Sequence, residues 1–367
     1  IKYKSIEFLS SHIVGSSKIS STLNGSFSLN SDSNEIDLYG MIDSVYILYI
    51  LGVLNDFTTK DSRMEWADKI LSCQDRRGWF TIRHYKNHSK EHSSAYAIAA
   101  LKLLAEDDYY DLKIKPVVSL KNLLTDKIEF NNWISKINLN YSKIISNIIK
   151  FKIRNTSSHL GWHYVWKGSH FGAGIPAMLS MTSHLYSKSS IDFNEDYWFK
   201  LYFNWLNEKV NPKTGYWQIG FWNLLYSNPN TIDLGGAAHF YWLYDRYSKD
   251  FPYPEELINS TILTQKKTGL YRKKPFCIDL DGNFCIIRSF KQLSHNKQKM
   301  YSKSVFSSIE KNFNAVVSYL VENDFKETFT DLHVLPGALA AIAECSILDN
   351  NNFKSDYKSV FEKVCWL

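Results

Sequence analysis

Cysteine is scarce in this sequence, and the few cysteines form no Cys-x-x-Cys pair. An odd number of isolated cysteines argues against a complete disulfide framework and favours a reducing compartment. We therefore expect a cytoplasmic protein. The five thiols lie at Cys73, Cys277, Cys285, Cys345 and Cys365.

Long apolar runs are missing as well. The most apolar stretch, from Leu38 to Leu54, contains Asp43 and is too short to cross a bilayer comfortably. The first residues of the sequence lack the long apolar core of a signal peptide. We expect a soluble chain without a transmembrane segment.

Concentrated positive charge is the third feature that the sequence lacks. The net charge is +6, but the lysines are scattered along the chain. No basic arm and no glycine-aromatic signature of a nucleic-acid-binding protein is present, so we expect no nucleic-acid partner. The charge indicates a solvated surface, and an anionic substrate is the second explanation.

Apolar and aromatic residues, by contrast, are plentiful. Hydrophobic residues make up 44% of the 367 residues and aromatic residues 15%. A chain of this length and composition can bury a large core. The aromatic side chains either line a cavity in addition to filling the core or only pack against one another, and both explanations are open at this point.

The apolar residues follow two alternating helical patterns. In one pattern a single face is apolar, as with Met64, Ala67, Ile70 and Leu71; in the other nearly every face is apolar, as from Asp37 to Leu51. Six helices of the second kind begin near residues 37, 92, 170, 233, 279 and 331.

This alternation predicts an all-α protein with one layer of buried helices inside a layer of amphipathic helices. We expect residues 1–367 to form a single α6/α6 toroid, a closed barrel of six helical hairpins. An open solenoid is the alternative, but a solenoid does not require a fully apolar second helix in each unit. Residues 106–160 interrupt the rhythm and form an insertion or a divergent repeat, with a helix predicted over 144–153.

Polar residues recur at the predicted starts of the buried helices. If these helices run parallel, their N-terminal ends meet at one mouth of the barrel, where the side chains could form an active site. Some of the acids are expected only to cap helices, and His239, one turn into its helix, is expected to be a core residue. The set consists of Asp37, His92, His170, Asp233, His239, Cys277, Asp279, Asp281, Asp331 and His333.

Two turns carry a family resemblance. The segment from Gln74 to Trp79, echoed from Gln265 to Tyr271, resembles the Gln…Gly-aromatic repeats of the terpenoid cyclase and protein prenyltransferase β-subunit superfamily, whose members are α/α toroids. The resemblance implies an enzyme with an active site at the barrel mouth, acting on an isoprenoid diphosphate or a chain that can be cyclised.

The prenyltransferase branch implies a catalytic zinc ion, which its members hold with an Asp-x-Cys pair and a His. Here Asn283 stands where the cysteine of that pair is expected, but Cys277 and Asp279 could substitute in reversed order. The helix start at His333 is similar to the His-bearing helix of the family. The implied zinc ligands are therefore Cys277, Asp279 and His333, with a fourth position open to a substrate thiolate or water.

The cyclase branch uses an Asp-x-Asp-Asp motif to protonate its substrate, and Asp279 and Asp281 match its first two acids. Burial of a carboxyl group in an apolar cavity raises its pKa, which is the condition for an acid role. With the neighbouring polar residues, the candidate catalytic set is Asp279, Asp281, His92, His170, Asp37 and Asp233. The aromatic residues that could stabilise carbocations or stack on a sugar are Trp79, Trp162, Trp166, Trp217 and Tyr241.

Two further functions are compatible with a toroid of this composition. A carbohydrate-active hydrolase, lyase or epimerase could use the His, Tyr and Asp residues of the mouth on a glycan. A toroid that binds a small molecule or a partner without catalysis is the other, because a fold alone does not determine a function.

Overall fold

The computed structural model describes residues 1–15, 22–81, 88–137, 162–187, 193–217, 229–348 and 353–367. Within these ranges the chain is all-helical and has no β-strand, as predicted. Its α-helices are α1 (Lys2–Ser10), α2 (Leu38–Ile50), α3 (Leu54–Phe57), α4 (Lys60–Ser72), α5 (Lys90–Ala105), α6 (Lys121–Thr125), α7 (Lys127–Ile137), α8 (Trp162–Ser187), α9 (Glu195–Lys209), α10 (Thr231–Arg246), α11 (Pro254–Thr264), α12 (Cys277–Gln292), α13 (His295–Glu322), α14 (Phe325–Thr328) and α15 (Val334–Cys345).

Six of these helices, α2, α5, α8, α10, α12 and α15, correspond to the predicted buried set. Every residue of α2 is buried, and α15 is buried from Leu335 to Cys345. The helices α4 and α13 bury only one face each, since they are amphipathic. The sequence therefore separates helices that are covered on all sides from helices that face water on one side.

The buried helices contact one another in a cyclic order. Contacts join α2 to α5, α5 to α8, α8 to α10, α10 to α12, α12 to α15, and α15 back to α2. The amphipathic helices lie against this set: α4 contacts α5, α11 contacts α12, and α13 contacts both α12 and α15. The first and the last buried helices along the chain are thus neighbours in space.

Helix α8 begins earlier than predicted and runs through Pro176. The predicted start near residue 170 lies two turns inside the helix, which begins at Trp162. Proline has no N–H group, so the carbonyl of Gly172, one turn before it, loses its partner within the helix. The hydroxyl of Tyr202 donates a hydrogen bond to this carbonyl at 2.7 Å, and the outer helix α9 thereby satisfies it.

The predicted insertion contains regular structure in its described part. Two 3₁₀-helices, Glu106–Asp111 and Val118–Leu120, precede α6 and α7, and α7 lies against α8. Residues 138–160, with the helix predicted over 144–153, lie outside the described residues.

The two turns that carry the family resemblance are built alike. The side-chain amide of Gln74 donates to the carbonyl of Gly78 at 2.8 Å, and that of Gln265 donates to the carbonyl of Gly269 at 2.8 Å. Each amide also donates to a carbonyl in a neighbouring segment. Both glycines have positive φ angles, 89° and 94°, which favour glycine. The glutamine therefore ties each turn to its surroundings.

Residues 353–367 run into the space between the buried helices. The backbone N–H of Lys358 donates to the carbonyl at the C-terminal end of α2, Ile50, at 2.8 Å. Farther along, Tyr46 donates through its hydroxyl to the carbonyl of Trp366 at 2.7 Å, and the Trp366 side chain is fully buried. No pattern in the sequence predicted that this segment lies among the six buried helices.

None of the helices in the described ranges combines the length and the apolar character needed to span a bilayer.

Candidate functional site

A small cavity lies where the N-terminal parts of several buried helices meet. Its volume of about 30 Å³ corresponds to room for about two water molecules or one metal ion. The lining is mostly polar and aromatic. It consists of His88, His92, His239, Trp242, Phe276, Cys277, Asp281, His333, Gly337 and Leu367.

Three buried histidines, one from each of three successive buried helices, converge beside this cavity. His92 comes from α5, His170 from α8 and His239 from α10, and each is at most 4% exposed. Their ligand atoms lie within 4.8 Å of one another, close enough to bind one metal ion. The ring centroids are 4.4 Å apart for His92 and His170, and 5.3 Å apart for His170 and His239.

The surroundings of these histidines favour neutral imidazoles. Burial lowers the pKa of His92 well below its ordinary value and that of His239 to about 3. The hydroxyl of Ser169 lies 2.8 Å from Nδ1 of His239, and the hydroxyl of Tyr39 lies 3.3 Å from Nδ1 of His92. Because each hydroxyl is within hydrogen-bond distance of Nδ1, Nε2 is the nitrogen that the rings of His92 and His239 can offer to a ligand.

His88 is a cavity residue that the sequence analysis missed. It stacks on His92 with the ring centroids 4.3 Å apart, and the hydroxyl of Tyr39 lies 2.7 Å from its Nδ1. Burial lowers the pKa of His88 well below its ordinary value. His88 precedes Ser89, the N-cap of α5, and so lies outside the helix, which is why helical spacing gave no signal for it.

His333 is hydrogen-bonded to Asp43, a fully buried residue in the middle of α2. Nδ1 of His333 lies 3.0 Å from Oδ1 of Asp43, and the hydroxyl of Tyr96 donates to the same oxygen at 2.6 Å. Burial acts to lower the pKa of His333, but the charges of Asp43 and Asp331 together with the hydrogen bond outweigh it and raise the pKa. In the sequence Asp43 served only as an argument against a membrane span.

Asp281 presents a carboxyl group to the cavity. It is 1% exposed, and its Oδ1 has no hydrogen-bond partner among the described residues. Burial raises its pKa well above the ordinary value, as does the nearby charge of Asp279, so the protonated form is favoured. The neighbouring thiol of Cys277 also lines the cavity, and burial raises its pKa.

Asp279 faces away from the cavity and holds the loop that precedes α12. Its carboxylate accepts the backbone N–H groups of Tyr271 at 3.1 Å and Phe276 at 3.0 Å, and the side-chain amide of Asn312 at 2.8 Å. The implied zinc ligands Cys277, Asp279 and His333 are therefore not brought together. Among the described residues, the group able to bind a metal consists instead of His92, His170 and His239.

The other predicted catalytic acids, Asp37 and Asp233, lie at helix starts and are not part of the cavity lining. Asp37 caps α2 by accepting the backbone N–H of Tyr39 at 2.7 Å. Asp233, in the first turn of α10, accepts the side-chain amide of Asn230 at 2.8 Å. Asp37 therefore agrees with the expectation that some of these acids cap helices, whereas the cap of α10 is Asn230 and not Asp233.

The predicted substrate-binding aromatics that the structure describes are packed in the core and do not line the cavity. Trp79 is buried beneath the ammonium group of Lys90, which lies 4.6 Å from its ring centroid. Trp217 and Tyr241 pack on each other with centroids 5.0 Å apart. Trp162 and Trp166 fall in the first part of α8, where the helix is described but its side chains are not.

The aromatic residues that do border the cavity come from other positions. Trp242 and Phe276 line it, and Trp366 stacks in parallel on His239 with the centroids 4.8 Å apart and an angle of 17°. The segment after α15 thus contributes directly to the surroundings of the histidines.

Compared with known proteins, the chain matches no family model, no curated protein and no solved structure.

Proposed function

We propose that the chain is an enzyme built on a single α6/α6 toroid, with its active centre in the cavity among the buried helices. The cyclic order of contacts from α2 through α15 and back to α2 supports the toroid. The two matching glutamine turns support an origin by repetition, as in the terpenoid cyclase and prenyltransferase superfamily that the sequence resembles. All five cysteines are free, which supports a cytoplasmic protein.

The observation that carries the proposal is the convergence of His92, His170 and His239. We propose that they hold a zinc ion. Three protein ligands with one open position are typical of catalytic zinc sites, whereas structural sites are closed by four. Neutral imidazoles are the form that binds a metal, and burial keeps His92 and His239 neutral.

The hydrogen bonds at Nδ1 of two of the histidines also suit a zinc site. Metal-binding histidines usually have a hydrogen-bond partner on the nitrogen that does not face the metal. Ser169 and Tyr39 supply such partners at Nδ1 of His239 and His92. A zinc ion bound there would polarise a substrate or lower the pKa of a bound water or thiol.

The reaction we favour is a group transfer of the prenyltransferase type, for which a zinc ion held by His92, His170 and His239 would supply the activation of a nucleophile. The cavity of about 30 Å³ holds only the reacting end of such a substrate, so the remainder of a small molecule would lie outside it. A cyclase-type reaction is the second candidate. The protonated Asp281 supports it, because it could donate a proton to an alkene or an epoxide.

The zinc proposal is tested by metal content. The purified protein is stripped with a chelator, reloaded with Zn²⁺, and analysed by mass spectrometry for bound metal. We expect about one zinc ion per chain, and strong loss of zinc in His92→Gln, His170→Gln and His239→Gln. Replacing Zn²⁺ with Co²⁺ should give the visible absorption of a four-coordinate site.

His333→Gln is the matched control, because His333 borders the same cavity but is not one of the three converging histidines. It should retain zinc at the wild-type level. Circular dichroism on each stripped variant separates loss of metal from loss of fold. Equal metal content in all four variants, or none in the wild type, would refute the zinc site.

A further inference from the structure

We infer that His333 is a general base of this centre, oriented by Asp43, and that the site accepts a molecule with a protic nucleophile, a hydroxyl, a thiol or water. This inference rests on the proposed function for its chemistry, but its geometry stands on separate residues. Nδ1 of His333 lies 3.0 Å from Oδ1 of Asp43, and His333 lines the cavity.

The pairing with Asp43 fixes which nitrogen of His333 carries the proton. An ionised carboxylate only accepts hydrogen bonds, so Nδ1 of His333 must donate to it. The lone pair of the neutral ring therefore sits on Nε2. In this tautomer the acceptor nitrogen is the one directed away from Asp43, as a base in a cavity requires.

Asp43 is itself held in place by a neighbouring tyrosine. The hydroxyl of Tyr96 donates to the same Oδ1 at 2.6 Å, and the Tyr96 ring stacks on Tyr46 with centroids 4.7 Å apart. Asp43 is fully buried in a helix that is otherwise almost entirely apolar, and within the part of the chain that the structure describes its Oδ2 has no hydrogen-bond partner. Such a carboxylate is costly to bury, and the charge that forms on a protonated His333 offsets that cost.

The step that we assign to His333 is a proton transfer. Nε2 takes the proton from the O–H or S–H group of the bound nucleophile, whose freed electron pair forms a bond to the electrophilic atom of the second substrate. The bond to the leaving group breaks with its electron pair. The resulting imidazolium is balanced by Asp43.

Asp281 faces the same cavity in its protonated form and can deliver a proton to the departing group. A base and an acid that face one cavity are what a transfer reaction needs. The alternative is that the contact between His333 and Asp43 only joins the start of α15 to α2. The experiments must distinguish this structural role from the role of His333 as a base.

The first measurement reads the tautomer of His333 in the metal-free protein. Long-range ¹H–¹⁵N correlation spectra of protein labelled with ¹⁵N-histidine give the protonated nitrogen of each ring, and His333→Gln identifies the His333 signals. At a pH above the raised pKa of His333, we expect a neutral ring with its single proton on Nδ1, and we expect Asp43→Asn to lower that pKa. A neutral ring with its proton on Nε2 in the wild type overturns the inference.

The second measurement uses an activated ester, p-nitrophenyl acetate, as a probe with the zinc-loaded protein. His333→Gln should lower the rate of hydrolysis by about 10²–10⁴-fold, and Asp43→Asn should lower it as well. Zinc content should be unchanged in both variants. Equal hydrolysis by wild type and His333→Gln, with only thermal stability reduced, would show a structural tie and overturn the inference.

The two proposals fail in distinguishable ways. Absence of zinc from the wild type contradicts the zinc site but leaves the tautomer of His333 intact, since that spectrum is recorded without metal. Bound zinc with the wrong tautomer contradicts only the role of His333.

Discussion

Gly337 of α15 lies close against the start of α12, and this contact predicts a measurable cost for one added methyl group. A Cβ atom at Gly337 would lie 2.5 Å from the backbone nitrogen and 2.6 Å from the Cα atom of Cys277. Ordinary contact begins at 3.4 Å, so the overlap with the nitrogen is 3.4 − 2.5 = 0.9 Å. The obstacle is backbone, which cannot rotate away.

The size of the effect of Gly337→Ala follows from two opposing contributions. Alanine is a better helix former than glycine by about 1 kcal/mol. Forcing an atom into a filled core costs about 1–3 kcal/mol, and the rigid obstacle places this case near the upper end. We expect a net loss of about 2 kcal/mol. With about 2.1 cal/mol/K per residue over 367 residues, this lowers the melting temperature by about 2–3 °C.

Gly172→Ala in α8 is the matched control. Its added Cβ would meet side-chain atoms, Ile137 Cγ2 at 3.0 Å and Phe240 Cε1 at 3.3 Å, which can move by a few tenths of an ångström. We expect the melting temperature of this variant to stay within about 1 °C of wild type. Calorimetry on both variants decides the matter. A Gly337→Ala protein that melts at or above the wild-type temperature would show that α12 and α15 are not packed as closely as described.

Two further predictions concern buried carboxyl groups. Burial raises the pKa of Asp279 from 3.8 to about 6, so its contribution to stability is complete below pH 3.8 and is lost as the pH rises through 6. Between pH 4 and 7, the free energy of unfolding measured with urea should fall by up to about 3 kcal/mol more for wild type than for Asp279→Asn. Parallel pH profiles of the two proteins would contradict this. Glu344, 2.8 Å from Arg288 Nε, has a side chain only 1% exposed, and Glu344→Gln should lower the free energy of unfolding by about 1–3 kcal/mol, because the charge-assisted hydrogen bond is lost while Arg288 keeps Asp245 at 3.5 Å. Arg288→Met with Glu344→Leu should recover part of this loss, and no difference between the single and double variants would exclude the Arg288 charge as the cause.

The helices were predictable because the spacing of apolar residues along a helix depends directly on which of its faces are buried. A helix such as α2, apolar on nearly every face, has to be covered on all sides wherever it lies in the molecule. The histidines at helix starts were also visible, and His92, His170, His239 and His333 do lie near one another in the structure. His239, expected to be a core residue, belongs to the group that can bind a metal.

The partition of roles between Asp279 and Asp281 was not predictable from their motif. Residues two positions apart on a helix differ by about 200° around its axis, so both carboxyl groups cannot face one cavity. Which of them does so depends on the loop that precedes α12, since the N–H groups of Tyr271 and Phe276 hold Asp279. Periodicity of one helix carries no information about that loop.

Contacts between residues that are distant in the sequence were not predictable either. Asp43 and His333 are 290 positions apart, and neither local propensity nor spacing links them. Trp366 reaches His239 only because the segment after α15 enters the helical set, and nothing in its composition predicts that path. Long-range contacts of this kind depend on the packing of the whole chain.

The path of residues 353–367 has a consequence for the order of assembly. A ribosome makes this segment after all six buried helices, so a nascent chain that has not yet reached Trp366 lacks the ring that covers one side of His239. The surroundings of the three histidines are therefore completed last, by the segment that follows α15.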